Sequence, residues 1–91
     1  MPFILLIILF RGNEAYEKGE LPKAEDFYTW GVNCVPPGDA LDVACRPLVR
    51  CYSNRAATRM ALGRVREALQ DCLMAAKLDP TFHRAHIRAA K

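Results

Sequence analysis

The chain is 91 residues long, with 52% hydrophobic and 25% charged side chains, the balance of a folded, water-soluble chain and not of a disordered one. Its net charge of +3 is small and its acidic and basic residues are interspersed, with no aromatic-and-basic ribbon, which argues against a nucleic-acid surface. The length suits one small domain or part of a larger one.

The chain opens on a continuous apolar run, Pro2 to Phe10, that ends at Arg11. A membrane-spanning helix needs about 20 such residues, so this run is too short to cross a bilayer. A signal peptide carries its basic residue before the run and small residues after it, the reverse of the order here. Two readings stay open: a helix face that a neighbour buries, or a start that does not belong to the domain. Gly12 to Lys18 continues as a helix-compatible stretch with Ala15 and Tyr16 at its apolar positions, and Gly19 breaks it.

A second helical segment begins at Leu21, with Pro22 in the first turn, where its missing N–H costs nothing. Ala24, Phe27, Tyr28, Gly31 and Val32 recur at the spacing of one buried face, and Pro36-Pro37-Gly38 stops the segment. Asp39 can cap a third helix reaching Leu62, whose stripe is Leu41, Ala44, Cys45, Leu48, Val49, Tyr52, Ala56 and Met60. Pro47 falls inside it and predicts a kink or a fresh start. After Gly63 a fourth helix puts Val65, Ala68, Leu69, Cys72, Ala75 and Ala76 on its inner face and closes at Asp79-Pro80. Thr81 can cap a truncated fifth helix running to Lys91. Nothing reads as a strand, so the predicted fold is all-α, an antiparallel array of helix hairpins.

The two hairpins are related. Gly12, Gly19, Ala24, Tyr28, Gly31 and Pro36 correspond to Ala56, Gly63, Ala68, Cys72, Ala75 and Pro80, each 44 positions later. Small residues at these spacings, over a 34-residue period, are the signature of tetratricopeptide repeats, and the additional residues fall between the hairpins. The expected cause is close helix approach: Gly12 against Ala24 and Ala56 against Ala68, with Tyr28 and Cys72 filling the space beyond. The expected organisation is 1–10 as the apolar start of the first helix and 11–38 as a first repeat. A second repeat with an extended first helix covers 39–80, and 81–91 is the truncated start of a third.

Arg11-Gly12-Asn13-Glu14-Ala15-Tyr16 and Cys51-Tyr52-Ser53-Asn54-Arg55-Ala56-Ala57-Thr58-Arg59-Met60 resemble the tetratricopeptide co-chaperones, and with Ala24-Glu25-Asp26-Phe27-Tyr28 they resemble the repeat region of plant DnaJ-type members. The resemblance covers Arg11 to Lys91, and the sequence holds no His-Pro-Asp tripeptide of a J-domain. It implies a cytoplasmic or nuclear protein-binding module whose concave groove holds the acidic C-terminal tails of cytosolic heat-shock chaperones. Its carboxylate clamp would consist of Asn13, Asn54, Arg84 and Arg88, the two asparagines donating their amides and the two arginines sharing one face of the fifth helix. The remaining clamp position, normally a cation, is Leu9 here, a loss worth about 1.5–3 kcal/mol at a desolvated carboxylate. Arg11, two residues along, points elsewhere. The alternative is a scaffold or truncated fragment of the same fold that binds another protein without a working clamp. With two repeats and part of a third, marginal stability or self-association is expected.

Other chemistry finds little support. The sequence shows no nucleophile–base pair, phosphate-binding glycine loop or metal constellation, so neither an enzyme nor a cofactor is expected. His83 and His86 lack a third ligand. Cys34, Cys45, Cys51 and Cys72 include no Cys-x-x-Cys pair, and they read as reduced, small apolar residues, although their even number permits two disulfides. Arg55 and Arg59 read as members of a polar face, and Tyr28, Trp30 and Tyr52 as core or rim.

Overall fold

The apolar start and the Gly12 stretch form one uninterrupted helix, α1 (Pro2–Glu17), in a computed structural model that describes residues 2–34 and 45–79. Leu5, Ile8, Leu9, Gly12 and Ala15 are buried along one face. Phe3, Ile4, Leu6, Ile7 and Phe10 remain exposed on the others. The run is therefore half core, and its apolar residues extend around the helix.

α1 ends in the same way as the helix of the second hairpin, α3 (Cys45–Ala61). Gly19 takes φ 80° and Gly63 takes φ 83°, the left-handed region that a side chain resists. The Glu20 N–H donates to the Ala15 carbonyl at 2.9 Å and the Gly19 N–H to that of Tyr16 at 3.0 Å. In the second hairpin Arg64 donates to Arg59 at 2.8 Å and Gly63 to Met60 at 3.0 Å. These paired bonds form a Schellman closure that satisfies carbonyls the helix end would otherwise leave orphaned. Each turn leads into a return helix, α2 (Leu21–Asn33) or α4 (Val65–Leu78). Pro22 stands in the first turn of α2.

Among the described residues there are four helices and no strand, and the fold is an antiparallel array of helix hairpins. α3 is the central element, lying against α1, α2 and α4. Its described part runs from Cys45 and includes Pro47. One core joins Leu5, Leu9, Ala15, Ala24 and Tyr28 of the first hairpin to Leu48 and Cys51 of α3. Ala56, Ala68 and Cys72 form the tight seam of the second hairpin.

Ala56 and Ala68 pack together as expected, and Gly12 lies against the Tyr28 ring. A methyl on Gly12 would lie 2.5 Å from Tyr28 Cε1 and 2.9 Å from Cδ1. Gly31 is equally confined, with Cys51 Sγ 2.7 Å from where its Cβ would stand.

Three predicted core positions are corrected. Met60, Val65 and Leu69 are exposed, while Ser53, Thr58 and Asp71 are buried. α3 is covered from several sides, so polar residues between its apolar stripes are enclosed as well. Thr58 meets this by donating its hydroxyl to the Asn54 carbonyl at 2.8 Å. α4 turns its Ala68, Cys72, Ala75 edge to α3, which carries Asp71 inward and rotates Val65 and Leu69 out.

Among the described residues Cys34, Cys51 and Cys72 form no disulfide. The proposed cap Asp39, the prolines Pro36 and Pro80, and the fifth helix from Thr81 lie outside the described residues, as do His83 and His86.

Candidate functional site

Where α1 and α3 face each other they leave a groove of about 270 Å³. α1 contributes Leu9, Asn13, Tyr16 and Glu17, α3 contributes Arg50, Asn54 and Ala57, and Tyr28 of α2 closes the floor.

The geometry turns on Asn13. Its Oδ1 accepts a hydrogen bond from the Tyr28 hydroxyl and a second from Asn54 Nδ2 at 3.0 Å. Both donors approach the oxygen, so the Nδ2 on the same carbon is directed away from them and keeps its two N–H donors. Tyr28 and Asn54 are buried while Asn13 is exposed. A core tyrosine and a buried amide thus orient an accessible one. Asn13 and Asn54, singled out in the sequence, are brought together; Arg84 and Arg88 lie outside the described residues.

Gly12 is part of the same device. Without a Cβ it lets the Tyr28 ring lie against α1, which brings the phenol to the next residue, Asn13. Leu9 is buried in the core beside the groove and presents only hydrocarbon to it. Arg11 lines a separate small cleft with Glu14, Lys18, Glu20, Lys23 and Phe27, so it does not replace a cation at position 9.

Arg55 and Arg59, neighbours of Asn54 in sequence, are engaged elsewhere. Arg55 holds the buried Asp71 through Nε at 3.0 Å and Nη2 at 2.7 Å, donates to Thr29 Oγ1 at 3.2 Å, and lies 5.5 Å above the Tyr52 ring. Arg59 bonds Glu25 at 2.8 Å and Asp71 at 3.0 Å, and Arg64 closes on Glu25 at 2.7 Å. These arginines tie α2, α3 and α4 together instead of forming a simple solvated face. Burial pushes the Glu25 carboxyl up, but hydrogen bonds and charge from Arg59 and Arg64 outweigh it and hold the group below its ordinary value. Burial likewise opposes the charged form of Arg59, and Glu25 and Asp71 more than reverse that.

Among the described residues no group of three His, Cys, Asp or Glu side chains is placed to hold a metal ion, and no helix is long and apolar enough to cross a membrane. Sequence reasoning passed over Arg50, which lines the groove one helical turn before Asn54. The four-residue interval between them was the available signal.

Paired helix hairpins with small residues at the crossings, stacked so that their first helices border a groove, define a helical-repeat fold. The chain is 37% identical over 81 residues, 89% of its length, to DnaJ homolog subfamily C member 7 of Homo sapiens. It is 39% identical over 79 residues to the inactive TPR repeat-containing thioredoxin TTL3 of Arabidopsis thaliana, and 32% identical over 80 residues to the Hsp70/Hsp90 co-chaperone cns1 of Schizosaccharomyces pombe. The match spans 14%, 10% and 21% of those relatives' own lengths. No family model and no solved structure matches. The chain belongs to the tetratricopeptide-repeat family.

Proposed function

We propose that the chain is a protein-binding module of the co-chaperone type, whose α1–α3 groove receives the acidic C-terminal tail of a cytosolic heat-shock chaperone. Asn13 and Asn54 donate amide hydrogens to the tail's terminal carboxylates, and Arg84 and Arg88 complete the clamp. The observation that carries the reading is the orientation of Asn13, whose Oδ1 is engaged by Tyr28 and Asn54 and whose Nδ2 donors are left for a ligand. An amide held in place before binding forfeits little side-chain entropy on binding, which favours an extended peptide that must itself be ordered. The name of the fission-yeast relative, an Hsp70/Hsp90 co-chaperone, supports the same class of partner. In this reading the chain acts by binding, without catalysis, and works in the cytoplasm, where such tails are found.

Leu9 favours a second reading, a scaffold of the same fold that holds a different protein segment. The groove's α1 wall offers hydrocarbon in place of a cation, with Glu17 on the same side.

Calorimetric titration of the full chain with an acidic peptide ending in aspartate, beside the same peptide amidated at its C-terminus, separates the two readings. The clamp predicts binding of the free acid alone, weakened in Arg88→Ala. Equal affinity for both peptides, or no binding by a folded chain, turns the assignment to the scaffold.

A further inference from the structure

We propose that Arg50 is the carboxylate-binding cation of the groove's described walls, a role neither the repeat pattern nor the family resemblance assigns to it. The proposal rests on the carboxylate reading above and deepens it.

Arg50 lies on the exposed face of α3 and lines the groove with Asn13, Asn54 and Leu9. The other α3 arginines bordering Asn54 are committed: Arg55 to Asp71, and Arg59 to Glu25 and Asp71. Among the described residues Arg50 has no ion-pair or hydrogen-bond partner, and its guanidinium keeps five N–H donors for a ligand.

Its position matches the gap left by Leu9. The contact between Asn13 and Asn54 sets the register of α1 against α3. Leu9 stands one turn before Asn13 and Arg50 one turn before Asn54, an axial step of about 6 Å in each helix. The two residues therefore border the same end of the groove from opposite walls. A cation absent from the α1 wall is present on the α3 wall, beside the same amides. Arginine suits the exchange because its planar fork engages both oxygens of a carboxylate.

Glu17 lines the groove one turn beyond Asn13, on the side away from Leu9. The groove is thus electrostatically polar, cationic at the Arg50 end and anionic at the Glu17 end. A bound peptide places its terminal carboxylate between Arg50 and the two amides and runs toward Glu17, where a further acidic side chain is disfavoured.

The test is calorimetric titration of the full chain and its Arg50→Ala, Arg50→Lys and Arg46→Ala variants with the free-acid and amidated peptides. Circular dichroism verifies folding; Arg50 is exposed and makes no bond the fold needs. Arg50→Ala is expected to lower free-acid affinity about tenfold or more. Arg50→Lys should recover part of that loss. Arg46→Ala, which removes the same charge outside the groove, should stay within about twofold of the parent. Free-acid selectivity in the parent that persists undiminished in Arg50→Ala overturns the role of Arg50 and leaves the carboxylate reading standing. An equal loss in Arg46→Ala also overturns it, reducing the effect to net charge. A parent that does not distinguish acid from amide overturns both.

Discussion

Two residues show how sterics and chemistry are linked in this core. Alanine ordinarily favours a helix over glycine by about 1 kcal/mol, but at Gly12 the added methyl meets the buried Tyr28 ring, which has nowhere to turn. Overpacking of this kind costs about 1–3 kcal/mol, so Gly12→Ala should have a lower urea midpoint than the parent. Displacing the ring also draws its hydroxyl from Asn13 Oδ1, and the variant should bind acidic peptide more weakly even where it remains folded. Cys51 is the second case. Burial, reinforced by the nearby Cys34, pushes its thiol up to about 12, so the nucleophilic thiolate is scarce at neutral pH. Iodoacetamide at pH 8, followed by peptide mass mapping, should modify the half-buried Cys34 well before Cys51.

Between elements, the arginine–carboxylate network joins α2, α3 and α4 where small residues leave little hydrophobic surface. Asp71 is 2% exposed and accepts from two arginines, so Asp71→Ala leaves the partly buried Arg55 without its carboxylate and Arg59 with Glu25 in its place. The expected cost is about 3 kcal/mol, the lower end for breaking a buried pair, because the Arg55 and Arg59 side chains keep 11% and 15% exposure. Chemical denaturation of the variant measures it. Glu25 makes part of this network sensitive to pH. Its carboxyl titrates below the ordinary value in the fold, so the unfolded chain takes up the proton first as pH falls. The stability Glu25 contributes is complete above about pH 4.3, its unfolded value, and is lost as pH drops through the lower folded one. Thermal melts from pH 6 to pH 3 should show a fall in Tm that is shallower in Glu25→Gln. Asp71 escaped the sequence reading because a helical period weighs apolar residues, and an aspartate in that stripe signals a solvent face until its arginines are located.

At the scale of the molecule, the exposed side of α1 is a liability among the described residues. Phe3 is 79% exposed, Phe10 65% and Ile7 59%, with Ile4 and Leu6 beside them. Contiguous apolar surface of this kind promotes association in water. Sedimentation velocity should show self-association that rises with concentration. Ile7→Glu with Phe10→Glu should suppress it without lowering Tm, since neither side chain belongs to the core. Leu5→Ala, on the buried side of the same helix, should instead cost about 2–5 kcal/mol. The two substitutions separate surface from core within one run of like residues.

By itself the sequence determined what depends on backbone geometry and close approach. Gly19 and Gly63 recur at one interval because only glycine readily takes the left-handed turn, and small residues recur at Gly12 and Ala56 and at Ala24 and Ala68 because the helices approach closely there. The all-helical hairpin array was legible for that reason, whereas Asn13 and Asn54 were singled out by the family resemblance and their contact came from the fold. Tertiary structure alone decided which side of the apolar start is core, since a helix apolar all round carries no directional signal. It also turned Asp71 inward and Val65 and Leu69 outward, and it stood Arg50 beside Asn54 at the groove. Those outcomes depend on which neighbour covers a given face, and residues distant in the chain set that together.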